Sequence, residues 1–154
     1  MSATVRKRVL LVGIGNDSRG DDGLGWQFLQ DIEALAPEVE VAYRYQLQVE
    51  DADVIRPFDV VVFIDATRTA LADGFSWQPC KPVADISFST HRQEPGTILY
   101  LARELFGSGA RGYVLAISGY TWALGEGLSV AARENLSRAK SFLLGQLNNQ
   151  LQPA

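Results

Sequence analysis

The chain has 154 residues, 47% of them hydrophobic and 21% charged, with a formal net charge of −4. That balance fits one globular domain over residues 1–154 and excludes a disordered or fibrous chain. The basic residues are scattered, with RKR at 6–8 as the one cluster, so the basic stripe of a nucleic-acid binder is missing.

In chain order, Arg8 to Gly13 is a short apolar run closed by glycine, which predicts a strand buried on both faces. Leu24, Phe28, Ile32 and Leu35 then recur at helical spacing within a predicted helix from Gly23 to Ala36, stopped by Pro37. Val39, Val41, Tyr43 and Tyr45 alternate with more polar residues as a second strand. Gln48 to Ile55 reads as a short helix, and Asp59 to Ile64 (DVVVFI) as the central strand. Pro79 and Pro82 confine any strand between Phe75 and Val83 to a sheet edge. Ser87 to Gly96 reads as a loop, Thr97 to Phe106 as a helix and Tyr113 to Ile117 as another buried strand. A loop from Ser118 to Gly127 leads to a terminal helix, Leu128 to Leu147, and a frayed tail, NNQLQPA. Alternating strands and helices predict an α/β fold with a largely parallel sheet covered on both faces.

Single Cys80 excludes an internal disulfide and any CxxC metal motif, and reads as an incidental thiol. The N-terminus lacks a cleavable leader pattern and no apolar run reaches spanning length, so the expectation is a cytoplasmic protein without a membrane or nucleic-acid partner.

In open α/β sheets, ligands bind beyond the carboxyl ends of the parallel strands. After the first strand come Asn16, Arg19, Asp21 and Asp22; after the second, Gln46; at the end of the third, Asp65. His91, the one histidine, lies in a later loop, and Ser118 and Tyr120 follow the last strand. Two carboxylates and an imidazole make an open site for a borderline divalent metal. Each has a plainer reading as well. Asp21 or Asp22 can cap the first helix, Asp65 can hold the loop after it, and a lone histidine is more often structural.

Residues 13–25, GIGNDSRGDDGLG, also invite a nucleotide reading. Ser18 stands where a dinucleotide fingerprint has its third glycine, no acid ends the second strand, and no GK[ST] follows. Carboxylates where phosphate would sit are of the wrong sign. A serine-hydrolase reading through Ser118 or Ser89, His91 and Asp65 lacks a GxSxG elbow.

GIGNDSRGDDGLG after the first strand, YQLQVEDA at the second, VVFIDA at the third, STH before a helix, and AISGYTWALGEGLS resemble, in that order, the hydrogenase maturation protease family. These enzymes trim the large subunit of nickel–iron hydrogenases. The resemblance implies a three-layer α/β/α sandwich whose five-stranded, mostly parallel sheet has one antiparallel strand in its edge region. It implies Asp22, Asp65 and His91 as metal ligands and as the catalytic set, which leaves Asp21 as the helix cap. The implied metal is nickel presented by the precursor subunit, with other divalent metals able to substitute. The implied partner is that precursor, met by a monomer that removes its C-terminal extension. The alternative is a non-catalytic maturation chaperone of the same fold that binds nickel or the precursor. Gly13, Gly15, Asn16, Arg19 and Gln46 are expected to shape the site or orient substrate, and Tyr120 and Trp122 to grip the precursor. Gln48-Val49-Glu50-Asp51 departs from the family's proline-acid pattern, which bears on substrate choice.

Overall fold

A computed structural model describes residues 7–84 and 93–149. The strands are β1 (Val9–Ile14), β2 (Glu40–Arg44), β3 (Val60–Thr67), β4 (Phe75–Cys80) and β5 (Arg111–Ser118). The helices are α1 (Leu24–Leu35), α2 (Asp51–Ile55), α3 (Pro95–Phe106) and α4 (Val130–Asn149), with a 3-10 turn at Gly20–Gly23 ahead of α1. The sheet order is β2-β1-β3-β5-β4, and its pairs are parallel except for β4, antiparallel to β5 at the edge.

Period-two alternation on the central strands separates two cores. Leu11, Val60, Val62, Ile64, Leu115 and Ile117 pack with α1 and α4. Leu10, Val12, Ile14, Val61 and Phe63 pack with α2 and α3 on the other face. Both faces are therefore covered, as the unbroken apolar runs of β1 and β3 require, and the three layers are those expected.

Several boundaries differ from the sequence reading, and three of them stand out. The short helix opens at Asp51 rather than Gln48, because residues 48–50 form a turn in which Gln48 N–H donates to the Asp51 carboxylate (2.9 Å). Helix α3 begins at Pro95, inside the predicted loop. Proline suits the first helical turn, where its fixed φ fits and its missing N–H has no partner to lose. The rest of that loop lies mostly outside the described residues. In the expected frayed tail, Asn148 and Asn149 are still helical, and the tail beyond them is also outside.

The third difference matters for function. Strand β3 runs on to Thr67, so Asp65 lies within it, not after it. Its partner β5 pairs with it as far as Thr67↔Ser118, whereas β1 pairs only as far as Gly13↔Ile64. Asp65, Ala66 and Thr67 thus have a ladder on one side only, and the β1 side is vacated where the chain turns off at Gly15. This β1/β3 junction is where the strand order reverses, the position at which open α/β sheets bind ligands. Among the described residues no helix is long and apolar enough to cross a membrane.

Candidate active site

The chain leaves β1 through Gly15 at φ +144, where a Cβ would stand 2.0 Å from the Asp22 carbonyl oxygen. Only glycine fits there. The close approach is used: Asn16 N–H donates to that same oxygen (3.0 Å). Asn16 Oδ1 accepts from the Ser18 N–H (3.0 Å) and hydroxyl (2.6 Å), so its side chain closes the loop from within. Arg19 and Asp22 complete it, each with a backbone N–H donating three residues back (3.2 and 3.1 Å). Gly13 lies below, where a Cβ would meet the Gly25 carbonyl oxygen at 2.7 Å, so it shapes the contact between β1 and α1.

The 3-10 turn sends the two neighbouring aspartates in opposite directions. Asp21 is wholly buried and Asp22 half-buried. Asp21 does not cap the first helix: Gly23 precedes α1, with no side-chain cap there or at the 3-10 turn. Its carboxylate instead accepts the N–H groups of Tyr120 (2.7 Å), Thr121 (3.0 Å) and Ser129 (2.7 Å), and the Ser129 hydroxyl (2.8 Å). Ser129 in turn accepts from Ala132 N–H (3.2 Å) in the manner of an N-cap on α4. Burial by itself would raise the Asp21 pKa, but these hydrogen bonds to the charged form outweigh it and hold the group below its ordinary 3.8. The loop after β5 is thus anchored to the loop after β1 by one buried carboxylate.

Asp22 and Asp65 line a single cleft of about 470 Å³ at the open end of the sheet, together with Arg19, Thr67, Arg68 and Trp122. Asp65 also borders a smaller cleft of about 210 Å³ toward α3, shared with Leu47, Phe63, Gln93 and Pro95. His91 lies outside the described residues. Among those described, no group of three histidine, cysteine or acidic residues is placed to hold a metal. Gln46 is exposed beyond β2 and does not line the larger cleft. Trp122 does line it, whereas Tyr120 turns its hydroxyl to the Asn135 amide (2.9 Å).

Arg68 escaped the sequence reading. The strand-end rule would have reached it had β3 been given its full length, because it is the first residue past Thr67. Its guanidinium lies over the Trp122 ring, 4.3 Å from the centroid. Ser118 is buried with its hydroxyl donating to the Thr69 carbonyl (2.8 Å) and accepting from Leu71 N–H (3.0 Å), a structural arrangement. The Cys80 thiol sits on edge strand β4, where burial and then the charge of Glu94 raise its pKa away from thiolate reactivity.

No family model matches the chain, and no curated protein does. Solved structures do. A [NiFe] hydrogenase maturation protease, HycI of Thermococcus kodakarensis, is 25% identical with a TM-score of 0.69, covering 94% of both chains. The hydrogenase maturating endopeptidase HybD of E. coli is 15% identical with a TM-score of 0.72 over the same shares. A Wolinella succinogenes protein without a named function is 25% identical with a TM-score of 0.61, covering 94% of this chain and 99% of its own. These likenesses show that the chain shares the α/β fold of the hydrogenase maturation proteases HycI and HybD.

Proposed function

We propose that this protein is an endopeptidase that removes the C-terminal extension of a hydrogenase large-subunit precursor already loaded with nickel. The observation that carries the reading is the convergence of Asp22 and Asp65 on one cleft at the β1/β3 junction. The likeness to HycI and HybD supports it.

In this reading nickel enters with the precursor, and Asp22, Asp65 and His91 meet it. Two carboxylates and an imidazole suit a borderline divalent ion and leave positions for the precursor's own ligands. His91 is two residues from Gln93, which borders the smaller cleft with Asp65. Bound there, the ion supplies Lewis-acid polarisation or an activated water. The chain's own residues bind and orient: Asp22 and Asp65 hold the loaded end of the precursor, and the rigid loop 15–22 fixes where Asp22 stands. A precursor without nickel lacks the central contact and is left uncut.

Asp22→Ala, Asp65→Ala and His91→Ala should each abolish trimming of a nickel-loaded precursor, read as the shift to mature subunit on a gel, while circular dichroism stays native. Normal trimming by all three would sink the proposal. A stable complex with no shortened product would favour the binding-only alternative.

A further inference from the structure

Two guanidinium groups, those of Arg19 and Arg68, line the same cleft as Asp22 and Asp65. Arg8, Arg44, Arg56 and Arg103 each pair with a carboxylate elsewhere on the molecule. Arg19 and Arg68 form no such pair with any described residue, and both are exposed. Arg68 is nevertheless held in place, its guanidinium carbon over the Trp122 ring at 4.3 Å from the centroid. Trp122 itself follows the Tyr120 and Thr121 amides that Asp21 anchors, and its ring packs beside Gly119, where a Cβ would meet it at 2.9 Å.

A cation–ring contact uses no N–H donor in a hydrogen bond to a carboxylate and leaves the guanidinium's donors available. That planar fork matches a carboxylate in two parallel hydrogen bonds, which a lysine cannot do. The cleft's charges favour such a ligand. Two aspartates and two arginines cancel, so a divalent ion beside the aspartates leaves the arginine side positive. A carboxylate of the entering peptide supplies negative charge to that side.

We propose that Arg68, oriented by Trp122 and joined by Arg19, forms a subsite for a carboxylate of the peptide entering the cleft. The assignment deepens the endopeptidase reading and rests on it for the peptide nature of the ligand. Such a carboxylate belongs to an acidic side chain near the scissile bond or to the peptide's C-terminus.

The test measures binding, not cleavage. Isotope-labelled full-length protein without metal is titrated into the millimolar range with three acetylated peptides. One is amidated Gly-Ala-Asp-Ala-Gly, one is Gly-Ala-Ala-Ala-Gly with a free C-terminus, and one is the amidated form of the latter. The expected result is a shift of the Arg68 Nε–H and Trp122 indole N–H signals with at least one carboxylate peptide and none with the neutral peptide. The tighter of the two names the source. Arg68→Gln should weaken that binding by roughly tenfold, and Arg68→Lys should restore part of it. Equal binding of the neutral peptide, no shift with either carboxylate peptide, or unchanged affinity in Arg68→Gln would each overturn the subsite. Carboxylate binding by a protein that trims no precursor would leave the subsite standing and remove the protease reading. Trimming without carboxylate binding would do the reverse.

Discussion

Two adjacent aspartates of the same chemistry do different work. Asp21 is wholly buried and supplies acceptors to three backbone N–H groups that lie 99 to 108 residues further along. Asp21→Ala would leave those donors without their acceptor in a partly buried site. Its expected cost is about 1–3 kcal/mol, read from chemical denaturation, the cost of leaving a partly buried donor without its acceptor. Asp21→Asn keeps one acceptor oxygen and should cost less. The pH response has a definite sign. The folded-state pKa is depressed, so the stabilisation is present above the ordinary value of 3.8 and is lost as pH falls through the lower folded value. Denaturation midpoints of the wild type should therefore fall in that acidic window, and the Asp21→Asn variant should show a shallower fall there.

The elements are held to one another by close backbone contact as well as by side chains. A Cβ on Gly25 would come within 2.6 Å of the Ile64 carbonyl oxygen and 2.7 Å of that of Ile14, so the first turn of α1 lies directly on β1 and β3. Gly25→Ala is expected to lift that turn and destabilise the protein by about 1–3 kcal/mol, as overpacking against a rigid neighbour does. Because Asp22 lies in the 3-10 turn that runs directly into α1, precursor trimming should suffer even where the variant remains folded. On the same face, Leu143 of α4 is fully buried among β-strand side chains, and Leu143→Ala should cost about 2–5 kcal/mol without altering the cleft. Comparing the two by thermal unfolding and by trimming separates loss of stability from loss of site geometry.

For the whole molecule the relevant property is which ligands the open end of the sheet accepts. In the proposed reading the site binds free nickel loosely, because only three protein ligands are offered. Millimolar nickel or cadmium should still raise the melting temperature by mass action, whereas a nucleotide should not. The rise should vanish in an Asp22→Asn, Asp65→Asn double variant. A rise with nucleotide and none with either metal would return the molecule to the nucleotide-binding class that its glycines first bring to mind.

Much of this is legible in the sequence alone. Apolar runs and helical spacing are local signals, and they located every strand and helix to within a few residues, including the edge strand marked by Pro79. The strand-end rule gathered Asp22 and Asp65 at one edge, because backbone direction alone decides which residues emerge there. What the chain by itself left open were questions answered by partners distant in sequence. The length of β3 depends on β5 continuing beside it after β1 has turned away, and that extension brings Arg68 into the cleft. Which of two neighbouring aspartates is buried depends on amides from the loop after β5, whose positions no local pattern encodes. Composition, periodicity and turn residues determined the layers and the edge of the sheet that carries the site. Only the tertiary structure decided the division of labour there, because a carboxylate's role is set by the donors and charges that folding brings to it.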